Sequence, residues 1–361
     1  MNSARIGVVS SPAFDRRLSV TRRVLLTGIG GFAGRHLAER LRRDGDELFG
    51  LGTTASTAVP CSRYLCCDLT DVRSVQHAVD EARPDLVFHL AARTGGTTAE
   101  RMHDVNVRGF INLCEALRRL VVRPRADGVS RPVRMVVVGS AAELGATGTA
   151  RLPVTEEAPC EPETVYGRTK FEVTQRALRE PPHGPLRISV ARTFNLVGPG
   201  LGANLALGRF VEQIASFARG ETEAVRCGNL AARRDFVDVR DAAAAYVAIA
   251  ERGLPGELYH VCRGSSHAIG DLLERLIKTS GLPVPIDCDA TPRPGDLADV
   301  YGDPSKTERA TGWSATMPIE DSLDAMLEHV LRMGNGEWGM GNVQKRTPLR
   351  SFPTPHSPFP I

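Results

Sequence analysis

No run of 18 consecutive apolar residues occurs in this 361-residue chain, so no segment is built to cross a bilayer as a helix and no membrane partner is expected. The basic start, with Arg5, Arg16 and Arg17, has no apolar core of the kind a secretory signal needs. Excess charge of one sign is missing too. Lys and Arg outnumber Asp and Glu by only 45 to 42, and the basic residues are scattered or paired with acids. That leaves no stripe suited to a phosphate backbone, and nucleic acid is excluded as an expected partner. The eight cysteines lack the paired spacings of a metal site, so no metal is expected. Cys66 and Cys67 sit side by side in a strand-like run, where the pleat sends them to opposite faces. Reduced thiols in a cytoplasmic setting fit this pattern best. No internal repeat is present.

What is there suffices for one large core or two moderate ones, with 42% apolar and 24% charged residues. Apolar runs at Val24–Thr27, Leu48–Leu51, Tyr64–Cys67, Leu86–Leu90 and Met135–Gly139 alternate with helical patterns, and Arg187–Ala191 adds a further run. Such alternation predicts an α/β fold, a doubly wound parallel sheet of Rossmann type wrapped by helices. From about Phe194 the character changes to Gly- and Pro-rich loops, helices around Phe210–Phe217 and Ile269–Ile277, and a strand-like Glu257–Val261. The expected organisation is a flexible extension over 1–21, a dinucleotide-binding domain over 22–193 with returns from later segments, a smaller mixed α/β substrate lobe over 194–332, and a disordered tail over 333–361. The linker-like 123–132 reads as an exposed loop before a core strand.

The segment Thr27–Gly34, TGIGGFAG, follows an apolar strand and opens a helix. A pyrophosphate has to approach the backbone closely at the positive end of a helix, and side chains would block it. Gly28 permits the tight turn, Gly31 lets phosphate oxygens near the backbone, and Gly34 lets the helix press on the sheet, with Gly30 as an extra glycine. The bland alternative is an ordinary tight turn. The helix behind the loop would turn Phe32, Leu37 and Leu41 to the sheet.

Tyr166 and Lys170 are four residues apart, on one face of a helical pattern. A free phenol, with a pKa near ~10, exchanges protons poorly at neutrality, and a nearby ammonium favours the phenolate, so Lys170 is expected to tune Tyr166. Ser140 ends the apolar strand that begins at Met135, where the carboxyl end of a central strand opens into a ligand crevice. Its hydroxyl can hold the substrate oxygen that Tyr166 protonates. A surface Tyr–Lys pair and a capping serine are the alternatives.

These residues resemble the extended short-chain dehydrogenase/reductase family, in its nucleotide-sugar branch, over roughly Arg23 to Leu331. The likeness rests on TGIGGFAG, Asp68 in CDLTD, His89–Ala92, Asn106–Val107, Ser140, Tyr166 with Lys170, Phe194–Asn195 and Gly198–Pro199. It implies that Gly28, Gly31, Phe32, Gly34, Asp68, Leu69, Leu90, Ala91 and Ala92 line the cofactor site with Tyr166 and Lys170. Asp68 would bind adenine, and Asn195 would contact a sugar diphosphate. The stretches GNLAARRDFVDVRDAAAAY and TPRPGDLADV are similar to the 4-ketoreductases of the branch, nearest those acting on GDP-linked 4-keto-6-deoxymannose. In them Arg234 and Arg293 would clamp the diphosphate with paired, charge-assisted hydrogen bonds. For each arginine the alternative is a surface ion pair, with Asp235 or Asp296. Asp238 and Asp241 read as loop and helix-cap residues.

Departures from the pattern narrow the reaction. Dehydratases of the superfamily carry an Asp–Glu pair directly after the catalytic hydroxyl, and here Ala141 and Ala142 stand there. Epimerase-reductases carry a cysteine at the position of Ala142 and a histidine at that of Gly200, so epimerisation beside the ketone lacks its acid and base. Leu144 replaces a tyrosine common in relatives. The expected reaction is reduction of the C4 ketone of a nucleotide-linked 4-keto-6-deoxyhexose, with a nucleotide-sugar 4-epimerase using NAD, or a non-enzymatic NADP-sensing protein, as alternatives. The second strand ends at Gly52–Thr54 without an acid, and with Arg35 and Arg63 expected nearby this favours NADP, with NAD as the alternative. Homodimerisation through helices around Val105–Leu117 and Tyr166–Leu178 is implied by the resemblance alone.

Overall fold

The computed structural model describes residues 21–122, 131–146, 151–289 and 297–334. The expected extension, apart from Thr21, and the expected tail, apart from Met333 and Gly334, lie outside these residues, as does most of the linker-like segment. Strand β1 (Arg23–Thr27) leads to α1 (Phe32–Arg43), β2 (Glu47–Gly52), β3 (Arg63–Cys66), α2 (Val72–Ala82) and β4 (Leu86–His89). Helix α3 (Ala99–His103) loosens into a π turn at Asp104–Arg108 and continues as α4 (Gly109–Val122). Next come β5 (Val133–Ser140), a 3-10 turn at Ala141–Glu143, α5 (Val165–Leu178) and β6 (Leu186–Thr193).

Six strands in this stretch and one later strand make the main sheet. The later part holds β7 (Asn195–Val197), α6 (Ala206–Arg219), β8 (Val225–Cys227), β9 (Arg233–Asp238), α7 (Val239–Arg252) and β10 (Leu258–Val261). It ends with β11 (Ser266–Ala268), α8 (Ile269–Ser280), β12 (Ile286–Cys288), β13 (Asp299–Val300), α9 (Ser305–Thr311) and α10 (Ile319–Gly334). The sheet order is β10-β6-β5-β4-β1-β2-β3, and every neighbouring pair is parallel. The Glu257–Val261 run therefore completes the main sheet instead of staying with the lobe around it.

Alternation along the strands explains why both faces are covered. In β5, Val133, Met135 and Val137 point into a core shared with α2, α4 and α5, while Val136 points to the other side. In β1, Leu25 joins the first core and Val24 and Leu26 the second, which α1 and α7 close with Leu37, Leu41, Ala242 and Ile249. Strands apolar on both faces need helices on both, which is the doubly wound arrangement. Tyr246 is fully buried in the second core, and its hydroxyl meets Thr193 Oγ1 at 2.9 Å. Left without that partner, a buried hydroxyl would cost about 1–3 kcal/mol.

The smaller C-terminal region has its own core, where Phe210, Val211 and Ile214 of α6 meet Leu272, Leu273 and Leu276 of α8 and Leu323, Met326 and Leu327 of α10. A small sheet of β11, β9, β13 and β7 and a two-stranded ribbon of β8 and β12 flank it. Asp238 caps α7 by accepting from Arg240 N at 2.8 Å, and Asp241 accepts from Thr316 and Met317 backbone amides, so both do structural work.

Candidate active site

The strand order reverses at β1, which has β2 on one side and β4 on the other, and the carboxyl ends of these strands open a crevice there. The glycine loop leaves β1 into it. A Cβ on Gly28, whose φ is +74°, would lie 2.9 Å from Ala91 N, and one on Gly34 would lie 2.2 Å from Gly28 O. Both positions therefore require glycine. Gly31 is the N-cap of α1 and offers no side-chain acceptor, so the first-turn N–H groups of that helix have no cap of their own. Thr27 knits the two strand ends together: its Oγ1 meets His89 Nδ1 at 2.9 Å and accepts from Ala91 N at 3.2 Å. Burial, helped by the Lys170 charge, lowers His89 to about 3 and keeps it neutral.

The other expected cofactor residues fall into two groups. Leu90, Ala91 and Ala92 follow β4 as half-buried residues beside the glycine loop, and Phe32 opens α1 with its ring edge-on to His36 at 5.6 Å. Asp68 sits in a turn, its Oδ1 accepting from Thr70 N at 2.9 Å, and it pairs with Arg101 at 3.1 Å. It does not cap α2, since Asp71 does. The structure does not bring the Leu69 side chain to the crevice. That side chain is buried under Gly109, and its carbonyl accepts from Asn112 Nδ2 at 2.9 Å.

Ser140 ends β5 and its side chain hydrogen-bonds Tyr166, while Lys170 is buried one turn further along α5. Gly167 is the reason α5 reaches so close: a Cβ there would lie 2.3 Å from Ala142 O, so the first turn of α5 rests directly on the turn after Ser140. Thr164 caps α5 by accepting from Gly167 N at 2.9 Å. Asn106, buried in the π turn, holds the arrangement from the side, bonding both backbone groups of Arg93 and donating to Thr169 Oγ1 at 2.9 Å. Beneath Ser140 the buried Glu143 completes a capping box by accepting from Ser140 N at 2.8 Å.

The electrostatics differ from the expectation that Lys170 lowers the phenol. Burial pushes Tyr166 up to about 12, with the Ser140 side chain pulling it down and the Glu143 charge pushing it further up. Desolvation outweighs hydrogen bonding at this phenol. Burial also lowers Lys170 to about 8, against the stabilising charge of Glu143.

On the substrate side, Asn195 opens β7 and donates from Nδ2 to Asp235 O at 3.0 Å, which ties it to β9 just beside Arg234. Arg234 is half-buried and donates from Nη1 to the carbonyls of Arg233 and Leu297. Asp235 is not a surface partner for it. Its carboxylate is buried, accepts the amides of Arg263, Gly264 and Gly302, and is raised to about 6 by burial against those bonds. Arg293 lies outside the described residues.

Two further arginines stand away from the end of β2. Arg35 points toward Gly200 O at 3.4 Å, across from α10, and Arg63 begins β3 at the amino end of the sheet, where it pairs with Glu81. Neither approaches Gly52–Thr54, so the expected nearness of these two charges to the ribose is not met. The sequence reading also passed over Thr27, Glu143, Gly167 and Arg192. Among the described residues no cluster of His, Cys, Asp and Glu could hold a metal ion, and no helix is long and apolar enough to cross a membrane.

The chain is 30% identical to GDP-6-deoxy-D-mannose reductase of Pseudomonas aeruginosa, over 85% of this chain and 97% of that protein. It is 27% identical to UDP-glucose 4-epimerase of Bacillus subtilis, over 82% and 94% of the two chains. Among solved structures, that of RMD from Pseudomonas aeruginosa complexed with NADPH superposes with a TM-score of 0.74 at 27% identity, covering 87% of this chain and all of that one. Residues 24–262 match the model of the NAD dependent epimerase/dehydratase family, and this chain belongs to that family of nucleotide-sugar enzymes.

Proposed function

We propose that the protein reduces the C4 ketone of a nucleotide-linked 4-keto-6-deoxyhexose, of the GDP-4-dehydro-6-deoxy-mannose kind, using NADPH in preference to NADH. The observation that supports this reading is the side-chain hydrogen bond between Tyr166 and Ser140 at the carboxyl end of β5, with Lys170 one turn further along α5. The cradle itself fits a dinucleotide, since a Cβ at Gly28 or Gly34 would fill it and the amides at the start of α1 have no side-chain acceptor. Gly28, Gly31 and Gly34 would take the pyrophosphate, Phe32 and Leu90–Ala92 would line the groove, and Asp68 would meet the adenine. A reduced nicotinamide held there supplies hydride. The preference for NADP rests on the missing acid at the end of β2 and on the NADPH-bound neighbour.

The chain's own residues do the rest. Ser140 Oγ holds the ketone oxygen, Tyr166 Oη gives it a proton, and the Lys170 ammonium orients the ribose and stabilises the phenolate left behind. Asn195, Arg234 and Arg293 hold the diphosphate. Ala141 and Ala142 offer no acid and base for dehydration, and Glu143, one residue on, is committed inward. A cytoplasmic homodimer joined through the outward faces of α4 and α5 belongs to the same reading.

The test is incubation of the purified protein with NADPH and a panel of nucleotide-linked 4-keto-6-deoxy sugars, with products identified by mass and NMR. Stoichiometric NADPH oxidation with one or more members is expected. Interconversion of an ordinary nucleotide sugar without net NADPH use would replace this reading with the 4-epimerase.

A further inference from the structure

Strands β8 and β12 form a parallel ribbon at the edge of the smaller region, with Val225 opposite Ile286, Arg226 opposite Asp287 and Cys227 opposite Cys288. The register is independently marked on the other face of the ribbon, where Arg226 Nε approaches Asp287 Oδ2 at 3.8 Å. Gln213 of α6 fixes β8 by bonding Arg226 through both its amide groups, at 2.8 and 3.2 Å. Residues directly opposed on neighbouring strands, about 5 Å apart at Cα, place their side chains on the same face. That spacing lies within the range of about 4.4–6.8 Å that a disulfide spans.

Both thiols are free and reachable, Cys288 being exposed and Cys227 half-buried. Each is held loosely. Among the described residues, Cys227 Sγ meets Asp287 O at 3.7 Å and Cys288 Sγ meets Gly228 O at 3.3 Å. The two sulfurs also feel each other, since burial, then the Cys288 thiol, then Asp287 push Cys227 up to about 11. None of the other six cysteines has this relationship: Cys67, Cys114 and Cys262 are buried in the cores, and Cys61, Cys66 and Cys160 lie on separate elements.

We propose that Cys227 and Cys288 are a reversible dithiol–disulfide pair, oxidised by exchange with a small disulfide such as oxidised glutathione. The exposed Cys288, as thiolate, attacks one sulfur of the oxidant, giving a mixed disulfide and releasing one glutathione thiolate. Cys227 then attacks the Cys288 sulfur and releases the second. The protein loses two electrons and two protons, and two glutathiones carry them away. The bond staples β8 to β12, and β8 leads directly into the strand that carries Arg234.

The test uses the full chain, reduced and then equilibrated in glutathione buffers of rising oxidised fraction. A loss of two hydrogens by intact mass is expected, with a cross-linked Cys227–Cys288 peptide on digestion, a higher melting temperature than the reduced protein, and full reversal by dithiothreitol. Cys227→Ser and Cys288→Ser should each abolish the cross-link and leave a glutathione adduct, mapped by digestion, on the remaining thiol of the pair. Eight free thiols persisting in the most oxidising buffer, separate adducts on both cysteines, or a cross-link mapped elsewhere would overturn the proposal. None of these readouts depends on the substrate, so they stand or fall apart from the proposed reaction.

Discussion

Arg192 lies against Glu143 directly under Ser140, its Nε and Nη2 donating to Glu143 Oε2 at 3.1 and 3.0 Å with both side chains buried. The other carboxylate oxygen accepts from Ser140 N at 2.8 Å and Thr174 Oγ1 at 3.1 Å. One buried ion pair thus joins β6, α5 and the turn that presents the serine. Removing one partner strands a charge in the core, which costs about 3–5 kcal/mol. Arg192→Met should therefore lower the urea unfolding free energy by that amount, and adding Glu143→Met should recover part of it because no orphan charge remains. A single variant within experimental error of the parent would contradict this account.

Tyr166→Phe keeps the ring and removes only the hydroxyl that carries the proton. With a substrate in hand, kcat should fall by about 10²- to 10⁴-fold, the range for loss of a positioned acid, while NADPH affinity measured by fluorescence stays within twofold or so. Comparable losses in both would make Tyr166 a binding residue.

Lys170 gives a sign-specific prediction. Its folded-state value of about 8 is below the ordinary 10.5, so between these pH values the unfolded chain holds more protons than the folded one. Stability from this group is fully present above about 10.5 and is lost as pH falls through 8. At pH 7 the buried ammonium is a liability of about 3 kcal/mol. Lys170→Met is expected to be inactive yet more stable than the parent at pH 7, with the difference shrinking in unfolding curves recorded near pH 10. Unchanged or reduced stability at pH 7 counts against a desolvated ammonium.

Gly167 and Gly30 form a contrasting pair. An added Cβ at Gly167 meets Ala142 O at 2.3 Å, whereas at Gly30 it meets nothing within 4 Å. Gly167→Ala should push the first turn of α5 away from Ser140 and cut kcat by about 10²-fold, since such displacement misaligns the proton donor. Gly30→Ala should leave turnover and stability near parental levels. Equal effects of the two would show that α5 tolerates the shift.

Much of this was legible along the chain. Runs such as Leu86–Leu90 and Met135–Gly139 are apolar nearly throughout, so both faces of each strand are apolar, and that alone calls for helices on both sides of a parallel sheet. The glycine loop was legible because only a missing side chain explains Gly28 and Gly34 at those spacings. Cys66 and Cys67 also separate as the pleat requires, one exposed and one with 2% of its surface accessible. The errors share a cause. Arg35 and Arg63 were placed near the ribose on sequence proximity to the second strand, but a helix turn carries Arg35 toward Gly200 and strand direction puts Arg63 at the opposite end of the sheet. The tuning of Tyr166 was misjudged because a pair of residues shows a neighbouring charge but not the surrounding dielectric.

The sequence by itself determined the periodicity of strands and helices, the phosphate cradle, and the chemical identity of the hydroxyl, phenol and ammonium, because each of these is a property of local spacing and side-chain type. Tertiary structure alone decided that Glu143 would lie beneath Ser140 with Arg192, that burial would raise the Tyr166 phenol, and that Cys227 would face Cys288 from far along the chain. Burial and cross-strand register are set by what packs from elsewhere, and the distances that govern charge and bonding follow from that packing.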